Sequence, residues 1–428
     1  MKLKSPAEYL PDLSGLPNPK ELAAELPDIR KYLPEMTFNK PDLSRDLFML
    51  KGALARRGFD CWRHFFFAED PNGKRSAFLL EFIAYNPALA VDIPVFSHDK
   101  NGRETGGAPS YLVVSVTRFG EKNSPSQADT IRGYYAKKDI TIKNEIPFLL
   151  SADVCFLSET RTFGRVQLTE EDAAAHPEYQ SCAGDVLWDL KLDKTLTFNC
   201  GYQSSIPSRA VELNDLYWHA QGLKTAFRGT LSFCGTKYQV VPEECCGYSD
   251  KIWGADFPDP WLFLTCSNFI SKKTGRELSD TAFVLAGADP KVGPVNMDFH
   301  LVSAVWYEGM PMEFNFAKVW HLTKTGYRTH FHPHHIQLQF VQETPLHKVQ
   351  GDLSVPIDTM TPLSYEAPGG GLSPEHLCGG CDVSGTLKLY CKKISLTNHW
   401  RWEKIDELAS DDFFIEYGWN GKRPPEHP

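Results

Sequence analysis

The chain has 428 residues, of which 42% are hydrophobic and 23% charged, as in globular proteins with a large core. Its net charge of −9, with no run rich in Lys and Arg, argues against nucleic acid as a partner. No apolar window is long enough for a membrane helix, so we expect no integral span, while transient membrane contact stays open.

The N-terminal sequence lacks the apolar core of a signal peptide. In a chain with no export signal, the 11 cysteines are better explained as reduced thiols than as a disulfide framework. We therefore expect a cytoplasmic protein. The sequence makes no prediction about oligomeric state.

The first 45 residues are rich in proline and predict an N-terminal arm with one or two short helices. One candidate helix, 20–32, is interrupted at Pro27, which lacks the amide hydrogen that a helix interior requires. The arm is therefore expected to add little to the main fold.

Beyond the arm, the sequence indicates β-structure. Segments 58–68 and 76–84 are rich in aromatic and apolar residues, and a turn sequence with Asn72 and Gly73 separates them. This combination predicts a β-hairpin. Segment 110–119 predicts another strong strand.

Short strands at regular spacing are predicted over the rest of the chain. Segments 235–236 and 308–309 predict compact hairpin turns, and 170–175 predicts a helical turn. Segment 402–409 is the other candidate helix. Because helical periodicity is otherwise nearly absent, we predict an all-β protein with roughly 18 to 20 strands.

So many strands exceed one small barrel, so we predict two β-sandwich or β-barrel domains. The N-terminal domain is expected over 46–235 and the C-terminal domain over 236–428, after the arm at 1–45. The segment 366–380, rich in Pro and Gly, is the longest candidate loop of the second half and predicts a flap.

The most informative segment, 242–269, contains Asp250 three positions before Trp253 and then a Pro-punctuated aromatic stretch. Burial raises the pKa of a carboxylic acid, and aromatic faces stabilise positive charge. The pair therefore suits proton transfer to an apolar substrate. The alternative is structural, with Asp250 capping backbone amides in a turn and Trp253 filling the core.

The block Gly247–Gly254, followed by Phe257-Pro258 and Trp261, resembles the signature of the tocopherol cyclase-like proteins. In that signature an acidic residue, a basic residue, a variable position and Trp-Gly precede a Phe-Pro…Trp stretch. The wider superfamily includes carotenoid 1,2-hydratases and lipocalin-like Diels–Alderases. Many members have Asn where this chain has Ile252, so no polar role is carried over to that position.

The resemblance implies two lipocalin-like β domains with an apolar pocket inside or between them. It also implies chemistry without a cofactor on a hydrophobic, polyene-like substrate. Tocopherol cyclisation itself is not implied, because members of the superfamily differ in substrate and in reaction.

Four residues are candidates for acid–base catalysis. Asp250 is the candidate acid, with Trp253 as the wall that stabilises a cation. His219 lies between aromatic residues and titrates near neutrality. His64 is expected on the same strand face as Trp62. The alternative for both histidines is a structural role in the core.

Glu81 is the fourth catalytic candidate, in an apolar strand where an unpaired carboxylate would be costly. It therefore either pairs with a cation such as Arg63 or Arg118, or is a neutral acid with a raised pKa. We favour the ion pair.

A small hydrophobic substrate is expected in an aromatic pocket at the domain interface. Its predicted wall consists of Trp62, Trp218, Tyr248, Trp253 and Trp261.

Two further patterns resemble metal or redox sites. His330, His332, His334 and His335 are interrupted by Pro333, with no carboxylate or Cys at ligand spacing, so we predict an exposed hairpin tip. The pair Cys378 and Cys381 lacks the second pair that a structural zinc needs and the βαβ setting of a redox motif. We predict no metal site and no cofactor.

The leading hypothesis is a cofactor-independent isomerase or lyase, acting as a cyclase, double-bond isomerase or hydratase on a terpenoid, polyene, prenylated quinol or unsaturated fatty acid. The alternative is a lipocalin-like carrier that binds a hydrophobic ligand without changing it. A third alternative is metal-dependent hydrolysis at the histidine cluster.

Overall fold

The computed structural model describes residues 43–119, 129–197, 216–243, 247–289, 291–292, 295–296, 299–316, 318, 321–394 and 400–421. The candidate helix of the arm lies outside the described residues, and the described end of the arm is a 3₁₀ helix, Leu43–Arg45. None of the described helices is long and apolar enough to cross a membrane.

The predicted all-β class is confirmed, with 26 strands among the described residues. The first sheet consists of β1 (Phe59–Glu69), β2 (Arg75–Tyr85), β3 (Tyr111–Arg118), β4 (Asp129–Tyr135), β5 (Ile140–Lys143), β6 (Leu149–Ala152), β7 (Cys155–Ser158), β8 (Arg161–Leu168), β9 (Gly184–Leu196), β10 (Leu216–Phe233), β11 (Thr236–Val240) and β12 (Gly247–Gly254). Its order is β4-β3-β2-β1-β11-β10-β9-β8-β7-β6-β5, and β12 pairs with β1 and β10. The sheet curls, so that β4 contacts β8.

The second sheet consists of β13 (Trp261–Cys266), β14 (Phe269–Ser271), β15 (Glu277–Leu278), β16 (Thr281–Ala288), β19 (His300–Tyr307), β20 (Met310–Phe314), β21 (Lys324–Phe331), β22 (His335–Glu343), β23 (His347–Pro356), β24 (Thr361–Leu363), β25 (His376–Ile394) and β26 (Trp400–Trp419). Its main path is β20-β19-β16-β13-β26-β25-β23-β22-β21. Strands β17 (Lys291–Val292) and β18 (Val295–Asn296) form a separate pair.

The described helices are short. Helix α1 (Glu170–Ala175) is the predicted helical turn, and the Thr169 side chain caps it by accepting from the Asp172 amide. The other 3₁₀ helices are Pro87–Leu89, Lys137–Asp139 and Pro177–Tyr179.

Three predicted hairpins are present. β1 and β2 pair antiparallel from Phe59 opposite Tyr85 to Glu69 opposite Arg75. The β10–β11 turn has positive φ angles at Cys234 (49°) and Gly235 (79°), and the β19–β20 turn has them at 308 (46°) and 309 (84°). Two consecutive positive φ angles match the twist of a tight hairpin.

One expectation needs correction. Segment 402–409 is not helical but lies within β26, where pairing with β25 and alternate burial override its local helical pattern. The chain passes from the first sheet to the second between Gly254 and Trp261, and the expected domain bounds stay a prediction. Whether each sheet forms an independent domain stays a prediction.

The two sheets pack face to face through a shared apolar core. Phe65 of β1 stacks on Phe414 of β26 with ring centroids 4.3 Å apart, and Trp218 meets Phe263 edge to face. Strand β1 is buried on both sides, which explains its nearly continuous apolar sequence. One side faces the second sheet and the other faces the first sheet's own core.

Candidate functional site

The three adjacent strands β2, β1 and β12 carry the buried ionisable groups at the junction of the sheets. Arg63 in β1 lies opposite Glu81 of β2 and opposite Asp250 of β12. Residues in register on neighbouring strands project from the same face. Their three side chains therefore meet on the face that packs against the second sheet.

Glu416 of β26 completes this group from the second sheet, and we call the four residues the carboxylate cluster. The guanidinium of Arg63 lies 2.6 Å from Glu416 (Nη2 to Oε1), 3.5 Å from Glu81 (Nε to Oε1) and 3.8 Å from Asp250 (Nε to Oδ1). No side chain of the cluster is more than 4% exposed. One cation thus serves three buried carboxylates.

Each carboxylate accepts a hydrogen bond from a different aromatic side chain. The Tyr365 hydroxyl donates to Glu81 Oε1 at 2.6 Å. The indole N–H of Trp218 donates to Asp250 Oδ2 at 3.0 Å, and that of Trp261 to Glu416 Oε2 at 3.4 Å. The cluster is therefore held in place by donors that themselves belong to the apolar core.

The protonation of the cluster follows from its burial and its excess of negative charge. Burial raises the pKa of Glu81 to about 7, although Arg63 works in the opposite direction, and Glu416 raises it further. Burial likewise raises the pKa of Asp250 to about 6, again opposed by Arg63. The prediction that Glu81 pairs with Arg63 is confirmed by their separation, and its raised pKa also leaves a neutral fraction near pH 7.

Two pockets adjoin the cluster and share Ile83 and Tyr365 as lining residues. The first is a small, mostly apolar cavity of about 10 Å³, and Arg63 is its charged lining residue. The rings of Phe59, Phe257 and Tyr365 stack in sequence along it, with centroid separations of 4.1 and 5.3 Å. We call this pocket the aromatic pocket.

Ile252 also lines the aromatic pocket. Many proteins with the signature that this chain resembles have Asn at this position. In this chain the same position gives the pocket an aliphatic side chain.

The second pocket is a small cavity of about 20 Å³ with several polar lining residues, among them Glu81. Opposite Glu81, the carboxylate of Glu366 accepts hydrogen bonds from Ser97 and Tyr111 and lies 2.5 Å from His98 Nδ1. The remaining polar residues that line this second pocket include Tyr85, Arg132, Tyr134, Gln180 and Ser364. Asp250 is not among the described residues that line either pocket.

Three predicted wall residues also lie on the cluster side. Trp218 and Trp261 are the indole donors described above, and Tyr248 packs on Phe263 with ring centroids 5.5 Å apart. The structure therefore brings Glu81, Asp250 and three of the five predicted wall residues together: Trp218, Tyr248 and Trp261.

The other predicted residues lie on the opposite face of the same strands. Trp62 is in register with Lys251, which is also in register with His219. Lys251 forms a buried ion pair with Asp60, and its Nζ lies 4.6 Å from the ring centroid of Trp62 and 4.8 Å from that of Trp253. This back pair, Lys251 and Asp60, faces the core of the first sheet.

The two candidate histidines belong to this back face. His64 Nδ1 lies 3.0 Å from the Ser249 hydroxyl, and burial lowers the pKa of His64 to about 3. His219 Nδ1 lies 3.3 Å from Arg45 Nη1. The structure therefore does not bring His64, His219, Trp62 or Trp253 into one pocket with Asp250. The reason is the strand period of two, which sends residues at odd separations to opposite faces.

Glu416 and the central role of Arg63 were missed from the sequence. Glu416 lies in the apolar run Phe413–Tyr417, the same signal that singled out Glu81. A lone carboxylate in a strand that is buried on both sides requires a partner. Glu81 and Glu416 both meet this description, so the same signal could have identified each of them.

The histidine cluster lies where it was predicted, at the tip of the β21–β22 hairpin. His332 and His334 are exposed, and His334 pairs with Asp358 at 3.0 Å. Within the described residues no group of three or more His, Cys, Asp or Glu side chains is placed to hold a metal ion. Cys378 and Cys381 lie on β25, while Cys245 and Cys246 lie outside the described residues.

Comparison with known proteins gives structural likeness only. No protein-family model matches the chain, and no curated protein matches it significantly. Kievitone hydratase from Nectria haematococca is 9% identical, with 89% of this chain and 95% of that chain covered and a TM-score of 0.43. A protein assigned as AttH from Nitrosomonas europaea is 10% identical, with 87% and 95% covered and a TM-score of 0.37. Both scores are below 0.5, so neither likeness supports a statement about function.

Proposed function

We propose that this protein is a cofactor-independent enzyme that moves a proton on a hydrophobic unsaturated substrate, as an isomerase, cyclase or hydratase. One observation carries the proposal: three buried carboxylates share one guanidinium beside an aromatic pocket. Such an arrangement holds a proton at neutral pH inside an apolar environment.

Glu81 is the group best placed to donate that proton. Its pKa of about 7 makes both protonation states accessible at neutral pH, as general acid–base catalysis requires. Tyr365 donates to Oε1, which leaves Oε2 to carry the proton, and Tyr365 itself lines both pockets. Arg63 then stabilises the carboxylate that remains after the transfer.

The proposed reaction begins when Glu81 protonates a carbon–carbon double bond, which leaves a carbocation on the substrate. The ring of Tyr365, which lines both pockets and stacks on Phe257, would stabilise this positive charge. Attack by an internal nucleophile closes a ring, attack by water gives hydration, and loss of a neighbouring proton moves the double bond. In each case one proton leaves the substrate or the nucleophile and returns to Glu81, so the acid is regenerated.

Asp250 takes a different role in this proposal from that expected of the candidate acid. It contacts Arg63 and accepts from Trp218, but lines neither pocket. We assign two roles to Asp250: it positions Arg63, and it shares the proton of the carboxylate cluster with Glu81. His64 and His219 take no part, because they lie on the opposite face of the sheet.

The test is deuterium incorporation. The hydrophobic molecules that co-purify with the protein would be identified by mass spectrometry, then incubated with fresh protein in D₂O together with a prenylated hydroquinone and a polyene. A proton-transferring enzyme puts deuterium on carbon in the product. We expect Glu81→Gln to reduce incorporation by about 10²- to 10⁴-fold.

The matched control is Glu170→Gln, on the exposed helix α1, which should incorporate deuterium as the wild type does. Full incorporation by a folded Glu81→Gln protein would overturn the assignment of Glu81. If bound lipids are recovered unchanged and without deuterium, the carrier alternative is correct.

A further inference from the structure

The second sheet contains a larger pocket that the proposed reaction does not use. Its cavity volume is about 160 Å³, against about 10 Å³ for the aromatic pocket. Strand β26 separates it from the carboxylate cluster, since Glu416 faces the cluster while Ile415 and Tyr417 line the pocket. We call it the second-sheet pocket.

The chemistry of its wall is that of a hydrocarbon site. None of the described residues that line it carries a charge. Hydroxyl, thiol and indole groups come from Tyr327, Thr329, Cys378, Tyr417 and Trp419, and the remaining lining is aliphatic, thioether or phenyl. Transfer of an unpaired charge into such a wall is costly, so the pocket favours an uncharged molecule.

The wall also differs from the packed core beside it. Phe283 and Phe340 of the second sheet are buried, whereas Phe331, Tyr417 and Trp419 around the pocket are only half-buried. These rings keep apolar surface uncovered by protein. A hydrophobic molecule in the pocket would remove that surface from water, which is favourable in proportion to its area.

The wall of the second-sheet pocket also differs from the tightly packed part of the first sheet's core, where Phe66, Phe78 and Phe227 are fully buried and in ring contact.

We propose that the second-sheet pocket is a binding site for an uncharged hydrophobic small molecule, separate from the carboxylate cluster. Its cavity volume of about 160 Å³ is close to the roughly 150 Å³ of an apolar cavity that binds benzene. The occupant is a neutral, hydrocarbon-rich molecule of lipid type, such as a long-chain alcohol. The proposal does not depend on the reaction proposed for Glu81.

The first test is a fluorescence titration with Nile red, an uncharged hydrophobic dye. Ile336→Trp would fill the pocket from β22, and Thr329→Asp would place a charge on its wall. Both residues are half-buried, so the fold should tolerate the changes. We expect saturable binding by the wild type and a loss of affinity of about tenfold or more in both variants.

The matched control is Leu346→Trp, because Leu346 is an exposed residue of the same sheet, 56% accessible to solvent. It should bind the dye as the wild type does, and so should Glu81→Gln. Failure of this proposal is therefore distinguishable from failure of the proposed reaction. Absence of saturable binding, or wild-type affinity in both folded pocket variants, overturns the site.

The second test asks whether the occupant is uncharged. Dodecanol and dodecanoate have the same chain length, and at pH 8 only the second is ionised. We expect dodecanol to displace Nile red at a concentration at least about tenfold lower, because no charged lining residue compensates the carboxylate. Equal potency, or stronger competition by dodecanoate, contradicts the assigned ligand class.

The third test locates the ligand without a mutation. Cys378 lines the pocket, and Cys234 is exposed in the β10–β11 turn of the other sheet. Saturating dodecanol should slow alkylation of Cys378 by N-ethylmaleimide about tenfold and leave that of Cys234 unchanged, as measured by peptide mass spectrometry. Unchanged labelling of Cys378 in the presence of bound dodecanol would place the ligand elsewhere.

Discussion

Strands β1 and β12 carry one buried ionic group on each face, and the two groups differ in their ratio of positive to negative charges. On the back face Lys251 pairs with Asp60, one cation with one anion, within the first sheet's own core. On the front face Arg63 is shared by Glu81, Asp250 and Glu416. Both groups are removed from solvent, so burial alone does not distinguish them.

This difference in charge ratio separates an ionic group with a structural role from one that can exchange a proton. A one-to-one ion pair balances its own charges, although burial still raises the pKa of Asp60 and lowers that of Lys251. Three carboxylates around one guanidinium cannot all ionise cheaply, so at least one keeps a proton at pH values where exposed carboxylates have none. Among the described residues, members of the front group also line two pockets, Glu81 the polar one and Arg63 the aromatic one.

The largest expected effect comes from removing the cation of the front group. Arg63→Met leaves three carboxylates without their ion-pair partner, so we expect the free energy of unfolding to fall by about 3–5 kcal/mol at pH 7. Urea denaturation followed by circular dichroism measures it. Arg161→Met, which breaks the exposed pair with Asp189, is the control and should change little. Equal effects of the two substitutions would contradict the central role of Arg63.

The back pair should respond to a double substitution in a way that the front group does not. Lys251→Met alone is expected to cost about 3 kcal/mol, because Asp60 is then buried without its cation. Adding Asp60→Asn should recover about 2 kcal/mol of that loss. Adding Glu416→Gln to Arg63→Met should recover much less, since Glu81 and Asp250 remain. Equal recovery of stability in both double variants would contradict the distinction between the front group and the back pair.

The third prediction concerns pH. The folded pKa of Glu81, about 7, is above the ordinary value of 4.5, so the folded protein binds a proton that the unfolded chain has lost. Its contribution to stability is fully present below about pH 4.5 and is lost as the pH rises through about 7. The stability difference between wild type and Glu81→Gln should therefore fall by about 2–3 kcal/mol over this range.

His64 acts in the opposite direction, because its pKa is lowered from 6.5 to about 3 in the folded protein. The wild-type profile alone therefore mixes the two groups. The Glu81→Gln difference isolates one of them, and a difference independent of pH would show that Glu81 ionises normally.

The smallest expected effect is that of Tyr365→Phe, which removes one hydrogen bond to Glu81. We expect a loss of about 1 kcal/mol in the free energy of unfolding. Because this hydrogen bond stabilises the ionised form of Glu81, its removal should raise the pKa of Glu81 further. The midpoint of the pH-dependent stability difference should move upward, and a downward move would contradict the assigned donor.

The sequence predicted the all-β class and several turns because the signals for both are local. Turn residues and short apolar runs are read within ten residues of chain. The site was predicted in part: Asp250 and Glu81 were named, and each is a carboxylate in an apolar context. What joined them was Arg63, whose register with both strands is a long-range property that one sequence does not specify.

The misplacement of Trp253 has a specific cause. No strand was predicted for the block Gly247–Gly254, but the block is itself a strand, β12. In a strand, residues three apart lie on opposite faces, which separates Trp253 from Asp250. Strand periodicity applied from Tyr248 onward would have predicted the division that the structure has.

The pairing of each carboxylate with an aromatic donor makes the cluster visible to spectroscopy. Trp218 and Trp261 contact Asp250 and Glu416 directly, so a change in ionisation changes the electric field at an indole ring. The emission of Trp218 should shift as Asp250 titrates near pH 6, and Trp218→Phe should remove that component. The fluorescence of Trp218 therefore reports the protonation state of the cluster, and the measurement requires no substrate.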